Sequence, residues 1–293
     1  MKPDYSVRQS RTEPASAAAQ RQDAGETRAC RQAVARGDYK NWMPKGMIWS
    51  FLGGAIGCGI VAVVLNALLN GTLKTVLTIV FAALAVIFCG LTVWAALMHR
   101  AFSYDGKRQM SRQIIEGTAA HVKLPAGGKC LDVGCGSGAL AIAVAKRNPQ
   151  AQVVGIDRWG KEYASFSKQL CEDNARAEGV KNTSFRQGDA THLDFPDGTF
   201  DAVVSNYVYH NIPGDRQQYL LETLRTLKKG GTFALHDIFS QSKYGDMQAF
   251  TQRLKDMGYR KVALIDTTDG KYMTKFEATW MGLSGSALLT GIK

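Results

Sequence analysis

The stretch CLDVGCGSGALAIAVA, residues Cys130–Ala145, decides the fold. An apolar, β-branched run enters it and an alanine-rich, helix-like run leaves it. Between them three glycines two apart, Gly134, Gly136 and Gly138, make the turn. A strand–turn–helix corner of this kind brings bare backbone against a ligand or a neighbouring segment, because glycine accepts left-handed angles and carries no side chain. Gly134, Gly136 and Ala139 also satisfy the G-x-G-x-x-G/A dinucleotide fingerprint, so the loop alone leaves the ligand open. Asp132 narrows the choice. A buried parallel strand favours apolar side chains, and a carboxylate inside one is costly unless it meets a cation or several donors. A diphosphate is a poor neighbour for Asp132, whereas an ammonium or a sulfonium suits it.

Downstream, short β-branched runs alternate with helical periodicity. KCLDV (129–133), AQVVGID (151–157), TSFRQG (183–188), FDAVVS (200–205) and GTFALHD (231–237) read as strands. Helices are expected over Ala139–Arg147, Lys161–Glu178 and Asp215–Leu227. KVALID (261–266) and KFEATWMGL (275–283) are expected as two further strands closing one edge. This alternation implies an α/β domain, a Rossmann-like, mostly parallel sheet with helices on both faces. In such sheets ligands sit outside the carboxyl ends of the strands, which is where the motifs fall. Asp157 ends the second strand, at the place where an acid grips both hydroxyls of a ribose. Asp189 follows the third strand and is placed to accept from an adenine amino group, with Ala190 packing alongside. Asp132, Asp157 and Asp189 thus form three carboxylates spaced along one ligand.

LDVGCGSG, VVGID, GDATHLDFPDGTFDAVVS and LLETLRTLKKGGTFALHD, in this order and spacing, resemble the class I S-adenosylmethionine-dependent methyltransferases, in particular the branch of ubiquinone- and menaquinone-biosynthesis enzymes. The likeness covers roughly 119–235. It implies a seven-stranded sheet with S-adenosyl-L-methionine laid over its strand ends. Asp132, Gly134, Cys135, Gly136 and Gly138 would hold the methionine part, Asp157 the ribose, and Asp189 with Ala190 the adenine, with the adjoining Arg158 a further cofactor-binding residue. Ser205 and Asn206, ending the fourth strand, would lie under the transferable methyl. Lys229 stands where the family often has proline before the paired glycines, and Leu193-Asp194-Phe195 where it often has Leu-Pro-Phe; both are turn positions. SNYVYHNIP (205–213) replaces the Asn-Pro-Pro-Tyr of enzymes that methylate amino groups of nucleic acids and glutamine side chains, which argues against those substrates.

Transfer from a sulfonium needs alignment and desolvation, with a base only where the acceptor must lose a proton. His210 is the candidate base, Tyr207 and Tyr209 candidate walls of the acceptor site, and His236 with Asp237 a second candidate pair.

Upstream lie two uncharged apolar segments, Met47–Asn70 and Thr75–Met98. Each is roughly 36 Å long as a helix, enough for a hydrocarbon core of about 30 Å, and side by side they read as a transmembrane hairpin. Arg31, Arg36, Lys40 and Lys45 precede it, Arg100, Lys107, Arg108 and Arg112 follow it, and only Lys74 lies at the turn. The positive-inside bias therefore puts both termini and the catalytic domain in the cytoplasm. Gly53/Gly57 and Gly54/Cys58 have the small-residue spacing that lets helices approach closely. The chain of 293 residues carries a formal charge of +11. That excess reads as a juxtamembrane patch facing anionic headgroups, since no nucleic-acid recognition motif accompanies it. Six cysteines form no metal spacing, and the histidines show no ligand pattern. The expected organisation is a polar cytoplasmic tail (1–46), the hairpin (47–98), a linker helix (99–118) and a methyltransferase domain (119–293). The function expected is methylation of a small hydrophobic or lipid-like acceptor at the membrane. A membrane-tethered protein methyltransferase and a non-catalytic cofactor-binding module are the alternatives.

Overall fold

The computed structural model describes residues 37–160 and 165–293. Most of the expected tail, and the first residues of the helix expected from Lys161, lie outside the described residues. Two long helices come first, α1 (Lys45–Leu68) and α2 (Gly71–Phe102), both long and apolar enough to cross a membrane. They pack against each other through Gly54, where an added Cβ would come within 3.1 Å of the Phe88 ring; Gly53 and Gly57 have open space instead. The expected linker helix divides. α2 continues to Phe102, and after a turn α3 (Met110–Ala119) begins.

The sheet comprises β1 (Lys129–Val133), β2 (Gln152–Asp157), β3 (Thr183–Gln187), β4 (Phe200–Asn206), β5 (Leu227–Ile238), β6 (Arg260–Asp266) and β7 (Ser286–Ile292). Its order is β3-β2-β1-β4-β5-β7-β6, with β7 antiparallel to both neighbours and the remaining pairs parallel. Chain order reverses between β1 and β4, so the crevice above their carboxyl ends is the natural ligand site. Side chains alternate across the sheet. Leu131 and Val133 pack with Leu220 and Leu224 of α6 (Arg216–Arg225) on one face, while Cys130 packs with Ile142 and Val144 of α4 (Ala139–Arg147) on the other.

α4 has the expected bounds. α5 (Lys168–Ala177) begins later than expected, because Ser167 caps it by accepting from the Leu170 amide at 3.1 Å. β5 starts at Leu227, where the preceding helix was expected still to run. After α7 (Gln241–Tyr244), α8 (Met247–Asp256) and β6, the larger correction comes in KFEATWMGL, which is no strand. Residues Lys275–Trp280 form helix α9, because Thr274 and Glu277 make a capping box: the Glu277 amide donates to Thr274 Oγ1 (3.2 Å) and the Thr274 amide to Glu277 Oε2 (2.8 Å). The strand that closes the edge is β7, further on. The five described cysteines are free thiols.

Residues 37–44, expected as the end of a tail, are docked on the domain as a strap. Asn174 of α5 accepts from the Asp38 amide (2.7 Å) and donates to the Asp38 carbonyl (3.1 Å). Tyr39 is buried against Tyr104, with ring centroids 4.5 Å apart. Asn41 donates to the His99 carbonyl at 2.8 Å, joining the strap to the end of α2.

Candidate functional site

β1 ends in the glycine loop, whose first amides, Gly134 and Cys135, both donate to the Ile156 carbonyl of β2 (2.8 and 2.9 Å). All three glycines have positive φ, and at two of them the cause of the empty side chain differs. At Gly134 (φ 72°) a Cβ would lie 2.3 Å from Val208, so the segment after β4 fills the space. At Gly136 (φ 54°) a Cβ would meet only Phe166 at 3.7 Å, and the residue lines a cavity. Gly138 is the N-cap of α4, tight against Phe185, and takes no part in the cavity wall.

Asp132 lies beneath this loop, 1% exposed, and neither carboxylate oxygen meets a hydrogen-bond partner. Burial pushes its carboxyl up to about 8, with only a partial opposing pull from the nearby Ala141 amide. An orphaned acid on the wall of a cavity fits a ligand that brings positive charge, as a sulfonium bearing an amino acid does, and does not fit a diphosphate.

Asp157, at the end of β2, accepts from the Gly136 amide through Oδ2 (2.9 Å) and from the Trp159 amide through Oδ1 (2.8 Å). Trp159 closes the ring by donating its indole N–H to the Gly136 carbonyl at 3.0 Å. This residue stands in left-handed backbone (φ 44°) and is not marked by any motif; an indole two residues after the acid at a strand end is its only signal. Asp189 accepts from the Thr191 amide and hydroxyl, both at 2.8 Å and both on Oδ1. Those bonds, helped by the charge of Arg158, hold its carboxyl below the usual range. Arg158 and Ala190 line the same cavity.

On the far side of β1 the residues at the end of β4 and just after it sort themselves differently from the expectation. Ser205 is buried, donates to the Val133 carbonyl (2.8 Å) and ties β4 to β1 without reaching the cavity. Asn206 does line the cavity, and its Oδ1 lies 2.9 Å from His236 Nδ1. Tyr207 lines it in left-handed backbone (φ 55°), with its hydroxyl on Ser286 Oγ at 2.8 Å. Tyr209 turns into the core, where its hydroxyl meets Thr223 (2.6 Å), so it is no cavity wall.

The two histidines exchange their expected roles with respect to Asp237. His236 is 1% exposed, bonded to Asn206 and to Thr267 Oγ1 (2.9 Å), and burial lowers its pKa to about 3. It is a neutral structural residue. Asp237 pairs instead with His210, 2.5 Å from Oδ1 to Nδ1. It also receives the amides of Tyr209 (2.9 Å) and His210 (3.3 Å) on Oδ2 and that of Ile238 (2.7 Å) on Oδ1. Three backbone amides donating to Asp237 leave it an acceptor toward the ring, so Nδ1 of His210 donates to it; in the neutral imidazole Nε2 then holds the lone pair. This dyad is the arrangement of an oriented base.

The cavity measures about 880 Å³. The glycine loop and the three acids line one part of it. Trp42 and Pro44 of the strap, Met98 and Phe102 at the end of α2, and Met281 and Leu283 after α9 line another, and His210 is on its wall. No motif marks these apolar residues; a lone tryptophan in a polar segment is their one trace. Trp42 stands edge-on to Tyr207 (5.5 Å) and 5.4 Å from the Phe102 ring.

A methyltransferase-domain family profile matches residues 124–279. The chain is similar to the 27-O-demethylrifamycin SV methyltransferase of Amycolatopsis mediterranei (28% identical, covering 59% of this chain and 62% of that protein). It is similar too to the demethylmenaquinone methyltransferases of Lactobacillus johnsonii (37%, covering 38% and 43%) and Deinococcus radiodurans (33%, covering 47% and 53%). The chain thus spans from under half to about three-fifths of the length of these curated relatives. Among solved structures, the fold matches that of the (4+2)-cyclase SpnF with a TM-score of 0.50 at 21% identity, over 64% of this chain and 84% of that one.

Proposed function

We propose that this chain, which belongs to the methyltransferase-domain family and has the fold of the class I S-adenosylmethionine-dependent enzymes, is a membrane-anchored methyltransferase for a small hydrophobic or lipid-like acceptor. One observation carries the reading: a single cavity joins an acidic, glycine-lined part to an apolar part walled by the strap and by the end of α2. The same helix is long and apolar enough to cross a bilayer, so the acceptor part of the cavity stands at the foot of the anchor. The flanking charges support an orientation with both termini and the catalytic domain in the cytoplasm. Two relatives are named for demethylmenaquinone, a quinone, which supports an acceptor of that chemical kind.

When bound, S-adenosylmethionine supplies a methyl group on a sulfonium, already activated for in-line displacement. Asp132, Gly134, Cys135 and Gly136 would hold its charged methionine part. Asp157, whose oxygens keep lone pairs beyond those used by Gly136 and Trp159, would accept from the ribose. Asp189 and Ala190 would meet the adenine, with Arg158 alongside. Trp42, Met98, Phe102 and Tyr207 exclude water from the acceptor side. His210, held by Asp237, takes a proton onto Nε2 from an acceptor hydroxyl or carbon acid, while Asp237 balances the imidazolium that forms. The test is incubation of the full chain with membrane lipid extract and radiolabelled cofactor. Label in the lipid fraction is the expected result; label in protein alone points to the protein-methylating alternative and overturns this one, and cofactor binding with no label transferred points to a non-catalytic module.

A further inference from the structure

α9 has two unlike faces. Ala278 is buried, whereas Phe276 and Trp280, one turn apart, are 76% and 45% exposed, with their rings stacked at 6.4 Å. The helix is rigidly held. Beyond its capping box, Glu277 accepts from Arg108 Nε (2.7 Å) and Nη2 (3.0 Å), and Arg108 also donates to the Tyr272 carbonyl (2.8 Å). Two large rings on a fixed helix facing solvent call for an occupant.

Its position says which. The Trp280 carbonyl accepts from Trp94 Nε1 of α2 at 2.9 Å. Trp94 stands 23 residues after Gly71, about 35 Å along the helix at about 1.5 Å per residue. That is about one hydrocarbon thickness from the hairpin turn. The antiparallel α1 begins at the same end, with Trp49, 68% exposed, in its second turn. Trp49, Trp94 and Trp280 therefore gather at one level of the hairpin, as aromatic belts do at a membrane boundary. Lys271, four residues before the helix, and Lys275, its first residue, are both exposed, and cations at this end suit anionic headgroups.

We infer that α9 is a third membrane contact, an interfacial element whose Phe276–Trp280 face lies in the headgroup boundary of an anionic bilayer. The inference rests on the reading of α1 and α2 as spanning helices. Its consequence for the site is direct. Met281 and Leu283, immediately after α9, share the cavity wall with Met98 and Phe102, so docking of α9 sets that wall at the depth where an amphiphilic acceptor's polar head resides.

Full-length protein in nanodiscs of phosphatidylcholine and phosphatidylglycerol, with acyl chains brominated near the headgroup, tests this by tryptophan quenching. Trp280→Phe keeps the backbone acceptor for Trp94 and is expected to remove emission that the bromolipid quenches at least twofold. Phe276→Ser, which leaves the Trp280 reporter in place, is expected to lower the quenched fraction, as is the pair Lys271→Glu and Lys275→Glu. Removal of only unquenched emission by Trp280→Phe, or an unchanged quenched fraction in Phe276→Ser should the first variant not fold, overturns the inference. Failure of the spanning reading looks different: the protein would be extracted from vesicles by alkaline carbonate, and Trp49→Phe would also remove only unquenched emission.

Discussion

At one end of the cavity, carboxylates stand on three successive strand ends between residues 132 and 189, each with defined polar neighbours or conspicuously without them. At the other end, apolar side chains arrive from residues 42–44, 98–102 and 281–283, segments far apart in the chain and sharing no pattern. The contrast follows from the forces involved. Gripping charge and hydrogen-bonding groups is directional, so it fixes residue types and spacing on a rigid frame. Burying apolar surface is non-directional and roughly proportional to area, so any segment that can reach the place will serve.

The sharpest break of this contrast is at the residue between the two regimes. His210→Ala is expected to lower kcat by roughly a hundredfold or more, the usual worth of a positioned base, with cofactor affinity unchanged by calorimetry. Asp237→Asn should fall short of that loss, because His210 stays but loses the partner that fixes its proton on Nδ1.

At the polar end, Asp132 makes cofactor affinity depend on pH. Its carboxyl is raised to about 8, so it is neutral below that value, whereas a cationic ligand binds the ionised form. Affinity should therefore climb by up to about tenfold per pH unit from pH 6 and level off above about 8; Asp132→Asn should flatten the profile. By the same linkage the cofactor-free protein loses stability as pH rises from about 4 to about 8, the window in which a buried acid is forced to ionise. Asp157→Ala should weaken cofactor binding about thirtyfold, near 2 kcal/mol for hydrogen bonds to a charged acceptor, without releasing the protein from membranes. At the apolar end, Trp42→Ala should raise KM for the acceptor about tenfold through lost buried area and leave the cofactor dissociation constant alone. A Trp42 variant that loses cofactor binding would show that the two ends are not separate.

That division explains what could be read without a structure. The alternation of strands and helices, the bounds of α4, the order of the motifs and both apolar helices were legible, because each rests on local periodicity or a local turn. KFEATW reads as strand because its alternating apolar residues suit either structure over six positions; the capping pair Thr274 and Glu277, three apart, is the signal that decides for helix. The dyad was half legible. His210 stood out by its place after β4, but its partner was assigned to the sequence neighbour His236, whereas the alternation of β5 sends adjacent side chains to opposite faces and turns Asp237 toward His210. The strap was nearly opaque, since its docking depends on Asn174, more than a hundred residues away, and Trp42 is the one trace in its own composition.

One feature of α2 reaches beyond the site. It runs without interruption from Gly71 to Phe102, so the helix that would lie in lipid for most of its length also supplies Met98 and Phe102 to the cavity. A spanning helix accommodates a thicker or thinner bilayer by tilting, and a tilt of this one would carry part of the catalytic chamber with it. On the proposed spanning reading, turnover in vesicles of graded acyl-chain length should pass through an optimum, and the enzyme would then act as a gauge of bilayer thickness.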